Sequence, residues 1–137
     1  MRIVRSRDCG NSPKNALLEK AAVALATRDA RALAPLVADD VRWDFVGERV
    51  VEGREQLAAA LAARHEGIAR LVIHRVVSHG RAGCVNGTAT RTNGEVVEFC
   101  DVYEFGNAKG ATVRSITTYA VPHGRARAIA RRRETSG

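Results

Sequence analysis

Apolar positions recur with two different periods along this chain, three to four in its first half and two in its second. Ser12 followed by Pro13 marks a helix start, because the hydroxyl caps a free amide while proline occupies the first turn without losing a needed donor. Leu18, Ala21, Ala22 and Leu25 then give a buried stripe over a helix from about Pro13 to Thr27. Asp29 is placed to cap a second helix to about Ala38, with Leu33, Leu36 and Val37 facing inward and Pro35 early or kinking it. Val41 to Val46 alternates as a strand, Gly47 turns it, and Arg49 to Glu52 returns. A third helix follows from about Arg54 to Glu66, presenting Leu57, Ala60, Leu61 and Arg64, with Gly67 as its stop.

From there the pattern is all strand. Ala69 to His79, Ala82 to Thr92, Glu95 to Phe105 and Thr112 to Val121 are alternating, β-branched segments bounded by turn residues. Residues 1 to 10 read as a leader strand or arm. Asn93-Gly94 is a two-residue hairpin signal, and Gly106 to Gly110 a longer turn. Counting outward from a two-residue turn sets Asn86 opposite Asp101, Cys84 opposite Tyr103 and Thr88 opposite Phe99.

One strand face stands out. Val97, Phe99, Asp101, Tyr103 and Phe105 are alternate residues of EVVEFCDVYEF and share one side of the sheet. Four are apolar or aromatic and the fifth is a carboxylate. An ionised carboxylate among hydrophobes costs several kcal/mol unless it is hydrogen-bonded, paired or protonated, so such a wall points to a polar pocket. The Asn86–Asp101 pairing supplies the alternative, a core polar group that is simply satisfied.

Composition adds bounds. The chain has 137 residues, 45% hydrophobic and 27% charged, enough for one domain, expected over residues 1 to 122 with a basic tail over 123 to 137. The N-terminal MRIVRSRDCGNSPKN lacks a signal peptide's apolar stretch, and there is no apolar run of about eighteen residues, so a cytoplasmic protein with no membrane partner is expected. Net charge is +7, but the arginine-rich last sixteen residues supply more than half of it, and no recognition-helix or aromatic-interleaved basic strand appears. Nucleic acid is therefore not expected as the main partner. Cys9, Cys84 and Cys100 have no metal-ligand spacing, and the two-residue turn puts Cys84 and Cys100 on opposite faces, which argues against a disulfide.

The order helix, helix, strand pair, helix, four strands resembles the nuclear-transport-factor-2-like cone fold, whose superfamily includes SnoaL-like cyclases and ketosteroid isomerase. ADDVRWDFVGERVVEGREQLAAAL is similar to the region of those proteins where a strand ends in an acid before a hydrophobe and glycine. CDVYEFGNAKGATVRSITTY resembles their penultimate hairpin. The resemblance covers roughly Asn11 to Pro122. It implies an α+β fold, three N-terminal helices packed in a strongly curved, mixed but mostly antiparallel sheet, and it implies fold more than activity.

By that resemblance Asp44 is similar to the isomerase's general base and Asp101 to the protonated acid that holds the oxyanion. The isomerase's oxyanion tyrosine aligns with Ala21, so Tyr103 or Tyr119 would have to substitute. His74, between Val72 and Val76, is a third catalytic candidate if it faces Asp101 and otherwise a satisfied core histidine. Trp43, Phe99, Tyr103, Asn86, Ile116, Thr118 and Tyr119 are the candidate pocket lining. Two readings stand. One is a SnoaL-like acid/base enzyme, an isomerase, hydrolase or cyclase acting without metal or organic cofactor on an apolar carbonyl or hydroxyl compound. The other is a non-catalytic homodimeric domain with a vestigial pocket. A homodimer is expected in either case, through an outer sheet face carrying Val96, Cys100 and Val102.

Overall fold

The computed structural model describes residues 1–5, 12–63, 67–107 and 112–125. Its elements are β1 (Arg2–Val4), α1 (Pro13–Thr27), α2 (Ala30–Leu33) with a 3-10 turn (Ala34–Leu36), β2 (Val37–Phe45), β3 (Arg49–Glu52), α3 (Arg54–Ala62), β4 (Ile68–His79), β5 (Ala82–Arg91), β6 (Glu95–Phe105) and β7 (Val113–Arg125). Ser12 is extended and its side chain accepts from the Asn15 amide, so α1 starts where its cap dictates.

The second helix is shorter than expected. Pro35 tightens its end into a 3-10 turn. From Val37 the chain is strand instead of helix, because Val37 pairs with Val113 of β7. Strand β7 in turn runs past the expected boundary at 122 to Arg125, and residues 126–137, most of the expected tail, lie outside the described residues.

The seven strands form one open sheet in the order β1-β4-β5-β6-β7-β2-β3. β1 on β4 and β2 on β7 are parallel, and the other pairings are antiparallel. Three helices pack on this mixed sheet. Leu18, Leu33, Leu61 and Leu71 meet Tyr103, Phe105 and Ile116 in the core, all essentially inaccessible. This is the cone-shaped α+β architecture that the order of elements implied.

The β5–β6 hairpin corrects the expected register by one residue. Gly94 N–H donates to Arg91 C=O, and the Asn93 side chain accepts from the Glu95 amide, so the connection is three residues, Thr92 to Gly94. A type I′ turn needs positive φ at both central residues, but here only Gly94 has it (φ 90), which gives the turn-plus-glycine-bulge form. Asp101 therefore pairs with Val85, not Asn86, which sits opposite Cys100. Tyr103 pairs with Gly83 and Phe99 with Gly87. A one-residue slip exchanges faces, so Asn86 leaves the Asp101 side altogether. By the same slip Cys84 and Cys100 share the outer face, as diagonal neighbours with free thiols.

Candidate functional site

Asp101 is 2% exposed and both of its carboxyl oxygens are engaged. Thr118, its direct partner on β7, donates to Oδ1 at 2.8 Å, and the Tyr103 hydroxyl donates to Oδ2 at 3.0 Å. Thr118 Oγ1 also accepts from Trp43 Nε1 at 2.9 Å, so an indole N–H, a hydroxyl and a carboxylate form one chain across β2, β7 and β6. Burial raises the Asp101 carboxyl to about 6, against the pull of its two hydroxyl donors. Burial first, and the Asp101 charge second, hold the Tyr103 phenol well above its usual range, so it remains a donor.

The carboxylate closes one end of a mostly apolar cavity of about 80 Å³. Trp43 and Phe45, their rings tilted with centroids 5.4 Å apart, form one wall. Phe99, Val97 and Thr118 continue it. Phe99 fits because Gly87 faces it: a Cβ there would meet Val72 C=O and lie 2.8 Å from the Phe99 ring. Toward the open end, Phe45, Arg91, Val97 and Ala120 also line a wider groove of about 680 Å³.

The structure thus brings together Asp101, Trp43, Phe99 and Thr118 from the expected set. Tyr103 and Ile116 share the inward face but lie in the core behind the cavity, where Tyr103 acts only through its bond to Asp101. The others face away. Asp44 alternates with buried Trp43 and pairs with exposed Val50, so its carboxyl is on the outer side. His74 occupies a bulge in β4 with Nε2 2.7 Å from Thr88 Oγ1, and Thr88 donates to the Glu98 carboxylate at 2.9 and 3.0 Å. That chain lies on the face opposite Asp101, since Thr88 and Glu98 are partners of the other parity. Tyr119 pairs with Cys100 there and is 50% exposed.

Leu25, Ala26 and Arg28 at the end of α1, with Ile68 and Arg91, complete the cavity and were not anticipated. They are distant in sequence, and only the packing of α1 against the sheet brings them to one place. Two signals were available: Arg28 follows the last helical residue where a glycine would be usual, and Gly87 interrupts a strand. Among the described residues no three histidine, cysteine or carboxylate side chains are grouped for a metal ion, and no helix is long and apolar enough to cross a membrane.

Comparison with solved structures shows the same fold. An NTF-2 like protein of unknown function from Burkholderia xenovorans LB400 aligns with a TM-score of 0.68 at 21% identity, over 82% of this chain and 86% of that one. A hypothetical protein with a ketosteroid isomerase-like fold from Catenulispora acidiphila, in complex with trimethylamine, aligns with a TM-score of 0.62 at 19% identity, over 75% and 83%. An M. tuberculosis LEH-like epoxide hydrolase gives 0.61 at 22%, over 77% and 80%. No curated protein matches the chain. The model of the SnoaL-like domain matches residues 18–129, which contain every residue of the cavity, and the chain belongs to the SnoaL-like domain family.

Proposed function

We propose that the protein binds a small, largely apolar molecule carrying a carbonyl or hydroxyl and that Asp101 moves a proton on it. The observation that supports this most is a buried carboxyl, raised to about 6, at the closed end of an apolar cavity. A value near 6 leaves the group mostly ionised at neutral pH yet easily protonated, which suits a general base that must return its proton. The resemblance to ketosteroid isomerase gave Asp101 the part of a protonated donor. Two hydroxyls donating into its oxygens favour the opposite role, an acceptor. A carboxylate has about four acceptor sites, so two hydrogen bonds leave room for a substrate. Thr118 would hold Oδ1 in place, and Tyr103 would steady Oδ2 as charge is lost and regained.

A second reading, ligand binding without chemistry, is favoured by the same hydroxyls, because they satisfy Asp101 internally. It is also favoured by the lining, which among the described residues offers no second acid or base beside Asp101 except arginines. Deuterium exchange separates the two. Wild-type protein in D2O with cyclohexanone should exchange the α-hydrogens faster than buffer, and Asp101→Asn should not. Binding of cyclohexanone without exchange would favour the second reading and sink the first.

In either reading we propose a homodimer through the outer sheet face. Val77, Val102, Tyr119 and Val121 there are 41 to 61% exposed, with Cys84 and Cys100 among them, while Val96 is buried and adds nothing to the surface.

A further inference from the structure

Three charged residues line the cavity, and their placement is uneven. Asp101 is at the closed end. Arg91, the last residue of β5, lies six positions along the strand from Val85, the partner of Asp101, about 20 Å of extended backbone. Its side chain is 23% exposed, lies 2.6 Å from Glu95 across the hairpin turn, and lines both the cavity and the wider groove, so it stands where the two meet. Arg28 comes to the same cavity from the end of α1.

Arg28 is there against the preference of its backbone. It has φ 59 and ψ 38, the left-handed conformation at a helix end, and among the described residues it is the one non-glycine with positive φ. Its N–H closes the helix on the Ala24 and Leu25 carbonyls, a bond that glycine would make with less strain. At this position arginine, unlike glycine, brings a long cationic side chain to the lining of the cavity. Strain kept at a pocket is a sign of use.

Resting on the reading of the cavity as a small-molecule site, we propose that its ligand is an amphipathic acid. The carboxylate is met by Arg28 and Arg91 near the open end, an apolar chain or ring runs past Ile68, Ala89 and Val97, and a hydroxyl or carbonyl reaches Asp101. Guanidinium suits this task because its planar fork matches a carboxylate in two parallel bonds. The opposed charges also set direction: an acid entering head first would bring its carboxylate against that of Asp101.

The test compares two probes of equal length, 6-hydroxyhexanoate and 1,6-hexanediol, short enough for a cavity of about 80 Å³ that meets the groove at Arg91, by calorimetry at low salt. The acid should bind about tenfold more tightly or better. That margin should shrink in Arg91→Gln and in Arg28→Gly, and fall with added salt. Glu95→Gln, which removes the competing carboxylate from Arg91, should widen it. Thermal unfolding is the folding control, with Arg28→Gly expected to hold or raise Tm because glycine relaxes the left-handed position. Equal affinities, or both arginine variants weakening acid and diol alike, would overturn the proposal. The diol binding while the acid does not would overturn it and leave the small-molecule reading standing. Neither probe binding would count against both.

Discussion

Thr118 and Asp101 are register partners on β7 and β6, and the hydroxyl of the first donates to the carboxyl of the second at 2.8 Å while accepting from Trp43. That single hydroxyl decides two things. It orients the carboxylate at the end of the cavity, and it satisfies an indole N–H that would otherwise be buried without a partner. Thr118→Val keeps the shape and removes both bonds. A loss of stability of about 1–3 kcal/mol in urea unfolding is expected, since a buried donor is left unpaired. The Asp101 titration should also move upward, because the Thr118 bond lowers it.

Asp101→Asn should be tolerated, and more so as pH rises. Burial lifts the carboxyl from 3.8 to about 6, so the folded state holds its proton more tightly than the unfolded chain does. The contribution of Asp101 to stability is therefore full below pH 3.8 and is lost as pH rises through about 6, a change on the order of 3 kcal/mol. Asparagine does not titrate. Urea unfolding of both proteins at pH 4 and pH 7.5 should show the variant gaining on wild type between the two; a constant difference would mean that the carboxyl is not held at a raised value.

Gly87→Ala should disturb the cavity from behind. The added methyl meets Val72 C=O and the Phe99 ring, one of them backbone and unable to yield. Overpacking of this kind costs about 1–3 kcal/mol, and Phe99 would be pushed toward the cavity. Weaker probe binding together with a lower Tm is expected, and an unchanged Tm would show that β4 and β5 can separate locally.

Asp44→Ala and His74→Ala should leave probe binding within about twofold of wild type, since both side chains face the outer side of the sheet. Calorimetry with cyclohexanone checks this directly, and a loss as large as that of Asp101→Asn would place them in the site after all.

Val102→Glu should shift the protein toward monomer if the outer face is the interface, because a charge directly between Cys84 and Thr117 on the strand ladder would have to be buried against a partner. Sedimentation at micromolar concentration reads the result. A wild type that is monomeric there removes the proposal.

Much of this was legible in local sequence. Ser12 and Pro13 determined where α1 begins, because capping involves neighbours three residues apart. The alternation of EVVEFCDVYEF determined that Asp101 shares a face with Val97, Phe99 and Tyr103, because successive strand side chains point to opposite sides. Alternation does not say how two strands are aligned. Asn93-Gly94 fits either a two- or a three-residue connection, and the difference of one residue removed Asn86 from Asp101 and put Cys84 beside Cys100. Nor does it say which side the helices will cover, and that alone sent Asp44, His74 and Tyr119 outward. Arg28, Arg91 and Asp101 meet around one cavity because α1 lies against the open sheet, a long-range packing outcome that no short stretch of chain encodes.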